Sequence, residues 1–163
     1  MNTSQQLAKH LKEVHIGGNW TWSNLKDNLA DVSWKQATTK IQSFNTIAAL
    51  VYHIHYFVAA AIPVLKGEAL DAHDKYSFDC PPIESDEDWN ELLDTLQKDA
   101  EKLSELIAQL PEEKLWQTFW DEKYGNYFRN LLGTIEHTHY HLGQIVILKK
   151  LILENENKTQ QEN

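Results

Sequence analysis

The sequence is poor in cysteine, glycine and proline, and each scarcity excludes a class of structure. Among 163 residues there is one cysteine, Cys80, which allows no intrachain disulfide and no cysteine-rich zinc cluster. Six glycines and four prolines are too few for the many turns of a β-sandwich or β-barrel. A chain of this length buries enough surface to fold without a disulfide or a metal, so we expect one domain.

Positive charge is also scarce. The 15 basic and 24 acidic residues give a formal net charge of −9. Nucleic-acid and anionic membrane surfaces are bound through clustered Lys and Arg, so this charge argues against both partners. The N-terminus lacks the apolar core of a signal peptide, and the longest apolar run, residues 46–65, is interrupted by His53, His55 and Pro63. We therefore expect a cytoplasmic protein.

Apolar residues at helical spacing, with cap residues beside them, predict four long helices. The predicted helices run over Ser4–His15, Lys40–Leu65, Ser85–Leu110 and Asn126–Leu153, with a shorter one over Asn24–Leu29. The link from Gly67 to Glu84 is long for two adjacent helices, so it can cross the bundle and let helices two and three run parallel. The segment from Pro111 to Gly125 is predicted to form a short hairpin. The predicted fold is an all-α four-helix bundle over residues 1–153, followed by a polar, disordered tail over 154–163.

Two of the eight histidines carry the main chemical signal. His137 and His141 stand four residues apart, so on a helix they point the same way and can share one cation. His139, about 200° from His137, points elsewhere. Their face is small and polar, with Asn130, Gly133, Thr134, Gln144 and Leu148. Within an otherwise apolar helix this stripe is either a solvent-exposed face or a buried site that needs polar or metal partners.

The second helix supplies the third candidate ligand, as either His53 or His55. Spacing does not decide between them, although the small residues on the face of His53 favour it. Three histidines with an open fourth position form an established catalytic zinc site. Imidazole ligands also suit nickel or iron.

Several other polar residues have narrower interpretations. Gln144, one turn beyond His141, can orient that ligand, and Glu136 beside His137 is a second candidate supporting residue. The Glu-x-x-His pattern of Glu136 and His139 is not repeated, which argues against a di-iron site. His73 lies in a loop near the predicted site, whereas His10 and His15 are predicted to lie on the surface of the first helix. Cys80 is predicted to have no role.

Two segments resemble the DinB/YfiT-like superfamily of metalloenzymes. They are residues 45–57, Asn-Thr-Ile-Ala-Ala-Leu-Val-Tyr-His-Ile-His-Tyr-Phe, and the string Glu136-His137-x-x-Tyr140-His141-x-Gly143-Gln144-Ile145. The order of elements matches across nearly the whole chain. The resemblance implies an up-down-down-up four-helix bundle that holds a divalent metal through one histidine of helix two and two of helix four. By position these ligands are His53, His137 and His141.

The resemblance also shapes the expected function. Family members include thiol-dependent S-transferases and isomerases, so we expect a transferase or isomerase that uses a low-molecular-weight thiol, or a hydrolase. The expected cofactor is zinc, with nickel or iron as alternatives, the substrate is a small molecule, and the chain is expected to form a homodimer. The alternative is a non-catalytic helical binding or dimerisation module whose metal site is structural or vestigial. No catalytic residue beyond the metal ligands is identified.

Overall fold

The computed structural model describes residues 1–161, and within that range the chain is all-helical. The six α-helices are α1 Thr3–Ile16, α2 Leu25–Leu29, α3 Trp34–Thr38, α4 Ile47–Leu65, α5 Asp86–Gln109 and α6 Tyr127–Gln161. Short 3₁₀ helices lie in the connections at Asp74–Tyr76, Glu112–Trp116 and Glu122–Tyr124. No β-strand occurs among these described residues. The short hairpin predicted between Pro111 and Gly125 is present only as one isolated antiparallel bridge, Thr118 to Asn126, and forms no strands.

Local capping sets where the long helices begin. The Ser85 hydroxyl accepts the amide N–H of Asp88 and caps α5. Helix α5 begins at Asp86, one residue after the predicted start. Helix α4 begins at Ile47 rather than at the predicted Lys40. The Thr46 hydroxyl accepts the amide N–H of Ala49 at 3.1 Å, which caps α4 there. Upstream, Gln42 adopts a left-handed φ of 48°, which breaks the helical path.

Helix α6 is longer than the sequence predicted. It passes the expected end at Leu153 and continues to Gln161. The added residues are exposed, contain no glycine or proline, and touch α3 through Gln36, whose side-chain amide donates to the Glu156 carboxylate at 2.9 Å. The predicted tail over 154–163 thus begins as helix, while Glu162 and Asn163 lie outside the described residues.

The four long helices pack side by side. Helices α1 and α4 each contact both α5 and α6. One hydrophobic cluster joins the first half of α4, residues 47–54, to Trp89 and Leu96 of α5 and to residues 142–152 of α6. A second cluster joins residues 58–64 of α4 to residues 100–107 of α5 and to Leu131 and Ile135 of α6. The core therefore continues along both halves of α4.

Helix α4 carries a candidate ligand into the interior. By length and composition alone it is apolar enough to cross a membrane. Ten of its residues are buried, and it packs against α5 and α6, as the core helix of a bundle does. His53 lies in its first half and is 6 % exposed, and α4 places this imidazole beside α6.

Candidate metal centre

The structure brings His53, His137 and His141 together at the contact between α4 and α6. Their candidate ligand nitrogens all lie within 4.8 Å of one another. The Nε2 atoms of His53 and His137 are 3.0 Å apart. Successive turns of α6 place His137 and His141 side by side, with ring centroids separated by 4.4 Å. Of the two candidates on α4, His53 is therefore the one that joins the pair.

Two of the three rings are oriented by hydrogen bonds on their far side. The Nδ1–H of His53 donates to the Ser77 carbonyl at 3.2 Å. The Nδ1–H of His141 donates to the Gln144 side-chain oxygen at 2.7 Å. Because both partners accept, Nδ1 carries the proton in each ring and the Nε2 lone pair is left for the cluster. His137 Nδ1 is buried without a hydrogen-bond partner among the described residues.

The cluster is electrostatically suited to a metal cation. Burial lowers the pKa of His53 below its usual range. Burial, reinforced by His141 and His53, lowers the pKa of His137 to about 4. These two imidazoles are therefore neutral at pH 7, which is the form that binds a metal ion. The His53 lone pair therefore faces His137 Nε2 at 3.0 Å, with no positive charge on either of these two rings.

The geometry fits a divalent ion held by three imidazoles. Nitrogens about 2.0–2.1 Å from one zinc at tetrahedral angles lie about 3.3 Å apart. The 3.0 Å separation of the His53 and His137 Nε2 atoms is near that value, and the candidate ligand atoms of all three histidines lie within 4.8 Å of one another. Within the described part of the chain, no cysteine, aspartate or glutamate joins this group. The three histidines could therefore hold a divalent metal with a coordination position left over.

Aromatic rings shield one side of the cluster. Phe78 stacks on His53 with ring centroids 3.8 Å apart. Phe57 meets His53 and His137 edge to face, at 5.1 and 4.9 Å. His137 also lines a cavity of about 590 Å³, together with Phe57, Asn130 and Thr134. A small molecule in that cavity can approach the cluster past Phe57 and His137.

The two supporting residues proposed from the sequence differ in their contacts. Gln144 bonds His141 directly, in the position expected for a residue that orients a ligand. Glu136 lines the 590 Å³ cavity but makes no hydrogen bond or ion pair with any described residue. Its side chain is exposed, one residue before His137.

The remaining histidines lie away from the cluster. His55 Nε2 lies 2.7 Å from the Asp99 carboxylate, which ties α4 to α5. The backbone N–H of His73 donates to the Tyr56 hydroxyl, while its ring is exposed. His139 faces α1, where it lies near His10 and His15. A positive charge on the His139 ring would be repelled by a positive charge on either of them. The prediction that His15 is a surface residue was wrong, because His15 packs inside the bundle, near His139 of α6, and is 3 % exposed.

Sequence reasoning missed two residues of the site, Ser77 and Phe78. Both belong to the connection between α4 and α5, which crosses over His53. No periodic pattern marks such a segment, so neither residue carries a signal in the sequence. Ser77 is fully buried, and its carbonyl is the group that fixes the His53 tautomer.

Comparison with known families agrees with the geometry. The model of the DinB superfamily matches residues 19–145, a span that includes all three clustered histidines and Gln144. No curated protein and no solved structure matches the chain. With most of its length matched, and with the histidine cluster formed within that span, the chain belongs to the DinB superfamily.

Proposed function

We propose that the protein is a metal-dependent enzyme in which His53, His137 and His141 hold one divalent ion, zinc in the first place and nickel or iron as alternatives. The observation that carries the proposal is the convergence of three imidazoles from two helices, with Nε2 atoms 3.0 Å apart in the closest pair. Hydrogen bonds to Ser77 and Gln144 turn two of the lone pairs into the cluster. A group built only to fill the core would not need this orientation.

Two features favour a catalytic site over a structural one. A structural zinc site is closed by four protein ligands, whereas a catalytic site keeps a position open. The described residues contribute three ligands, and His137 also lines a 590 Å³ cavity. A divalent ion supplies Lewis acidity, which lowers the pKa of a coordinated water or thiol. Phe78 packs on the His53 ring, Phe57 packs against the His137 ring, and Gln144 holds the His141 ring in place.

The reaction we propose is transfer or isomerisation with a low-molecular-weight thiol, or hydrolysis. Three neutral imidazoles leave the full +2 charge of the ion, which favours an anionic sulfur or oxygen group as the next ligand. The cavity beside His137 gives a small-molecule substrate room to lie next to that position. We also propose a cytoplasmic, homodimeric protein.

We propose an up-down-down-up order for the long helices. The first halves of α4 and α5 share one core cluster with the second half of α6 and with Val14 near the end of α1. The second halves of α4 and α5 share the other cluster with the beginnings of α6 and α1. This distribution supports α1 and α6 running one way and α4 and α5 the other, with residues 66–85 as the crossover.

Metal analysis of protein purified without a histidine tag tests the proposal. We expect close to one zinc, nickel or iron ion per chain, and calorimetric titration of the metal-free protein should show one tight site for zinc. His137→Ala should abolish that site. His139→Ala is the matched control, because it removes the histidine between the two ligands of α6 and should retain binding.

Cobalt-substituted protein separates the catalytic from the non-catalytic interpretation. Addition of a small thiol should change its visible spectrum through sulfur–metal charge transfer, and Cys80→Ser should retain the response. A cobalt spectrum unchanged by thiols, together with no metal-dependent hydrolysis of simple esters or amides, would favour the non-catalytic module. Absence of tight metal binding would overturn the proposed function.

A further inference from the structure

Arg129 is the only arginine among the 163 residues, and it lines the cavity that adjoins His137. The chain carries a net charge of −9, so a negatively charged ligand meets repulsion over most of the surface. The cavity of about 590 Å³ is lined by Arg129, by Phe57 and Phe128, and by the candidate metal ligand His137.

The guanidinium of Arg129 has no acidic partner among residues 1–161. None of the ion pairs in that range involves it, and its side chain makes no hydrogen bond there. Gly125 makes room for it: a Cβ at that position would lie 2.9 Å from Arg129 Cδ. Arg129 therefore extends across the start of α6 with its five N–H donors available to a planar anion.

Helix geometry sets the length of a ligand that spans the cavity. Arg129 and His137 are eight residues apart on α6, which is about 12 Å along the helix axis. Glu136 lies between them along that axis and lines the same cavity. A carboxylate there repels negative charge, so the part of a ligand beside Glu136 should be neutral or cationic.

We propose that Arg129 forms an anion subsite that binds a carboxylate or phosphate group at the far end of the substrate, while the reacting end lies at the histidine cluster. The inference rests on the proposed function and names the class of its substrate, an elongated small molecule with one terminal anionic group. Phe57 and Phe128, which line the same cavity, contact the apolar part of such a molecule. The fork of the guanidinium pairs with two oxygens of one anion.

Calorimetric titration of the metal-free protein in EDTA tests the subsite without using the metal. The probes are octanoate, octyl phosphate and the neutral octanamide. We expect at least one anion to bind more tightly than octanamide, and Arg129→Gln to weaken that anion about tenfold, as for loss of one charge-assisted interaction. Whichever anion responds to the substitution identifies the group as carboxylate or phosphate.

Two matched variants exclude a general charge effect. Lys150→Gln removes one positive charge from an exposed position on the same helix and should leave anion affinity unchanged. Arg129→Lys keeps the charge without the planar fork and should bind with intermediate affinity. Equal affinities for anion and amide in the unsubstituted protein, or an equal loss in Arg129→Gln and Lys150→Gln, would overturn the subsite.

Cobalt-substituted protein distinguishes failure of the subsite from failure of the metal-dependent function. 8-Mercaptooctanoate should perturb the cobalt spectrum at lower concentration than 8-mercaptooctanamide, and Arg129→Gln should remove the difference. If both thiols act equally, the metal site stands and the subsite is wrong. If cobalt does not bind while octanoate or octyl phosphate still depends on Arg129, the subsite stands and the metal-dependent function is wrong.

Discussion

Buried His15 should make the fold lose stability in mild acid. Its side chain is 3 % exposed, and neither ring nitrogen has a hydrogen-bond partner within residues 1–161. Burial, together with the nearby His139, lowers the pKa of His15 from 6.5 to about 4. The ring therefore stays neutral in the folded chain at pH values where it is protonated in the unfolded chain.

The sign and size of the effect follow from proton linkage. Between the two pKa values the unfolded chain binds the extra proton, so acid favours unfolding. The stability linked to His15 is fully present above pH 6.5 and is lost as the pH falls towards about 4. Linkage with these pKa values gives a loss of about 2 kcal/mol between pH 7.5 and pH 5, and about 3 kcal/mol in total at lower pH.

Urea unfolding followed by far-ultraviolet circular dichroism measures this loss. The proteins are the unsubstituted chain and His15→Leu, each at pH 7.5 and pH 5 with EDTA present. The free energy of unfolding should fall about 2 kcal/mol less for His15→Leu than for the unsubstituted chain. His10→Leu, on the exposed face of the same helix, is the control and should retain the pH dependence of the unsubstituted chain.

The comparison between proteins is needed because half-buried His137, whose pKa is also lowered to about 4, adds to the acid sensitivity of every variant that keeps it. The leucine substitution also changes stability at pH 7.5. That change cancels when the free energy of unfolding at pH 5 is subtracted from that at pH 7.5 for each protein. An equal loss of stability in the unsubstituted chain and in His15→Leu would refute the reasoning, since burial of His15 would then not exclude the proton.

Three further outcomes are expected. Gln144→Leu removes the acceptor 2.7 Å from His141 Nδ1 and should weaken zinc binding about 10–100-fold in a chelator competition assay, whereas Gln144→Glu keeps an acceptor and should bind more tightly than the leucine variant. His137→Ala should retain helical circular dichroism and a cooperative melt, because neither core cluster includes it, and loss of helix on chelation would contradict this. Sedimentation velocity at micromolar concentration should show a dimer of about 38 kDa, twice 18.9 kDa, with the 91 % and 92 % exposed Trp20 and Trp22 as candidate contacts, and a lone monomer would refute it.

The sequence predicted those parts of the site that depend on helical spacing. His137 and His141 could be predicted as a pair because residues four positions apart lie on the same face of a helix. His53 and His55 could not be separated in this way, since both faces of α4 are buried or partly buried. What distinguishes them is a contact distant in sequence, the pairing of His55 with Asp99 on α5.

Long-range packing also explains the errors in the predicted fold. His15 was predicted to lie on the surface of the first helix, yet it is buried in the bundle near His139 of α6. The extension of α6 to Gln161 is accompanied by the contact between Gln36 and Glu156, two residues 120 positions apart. Hydrophobic periodicity describes one helix at a time, so it does not predict which residues of another helix will pack against that helix.

Burial and one nearby carboxylate set the electrostatics of His53 and His137. Burial is the main influence on the pKa of His53 and His137, and it opposes positive charge at the cluster. Asp74, in the crossover segment, acts in the opposite direction on both rings. A carboxylate near the cluster favours a cation there without occupying a coordination position. The crossover thus contributes the Ser77 carbonyl, the Phe78 ring and the Asp74 charge to the surroundings of the histidine cluster.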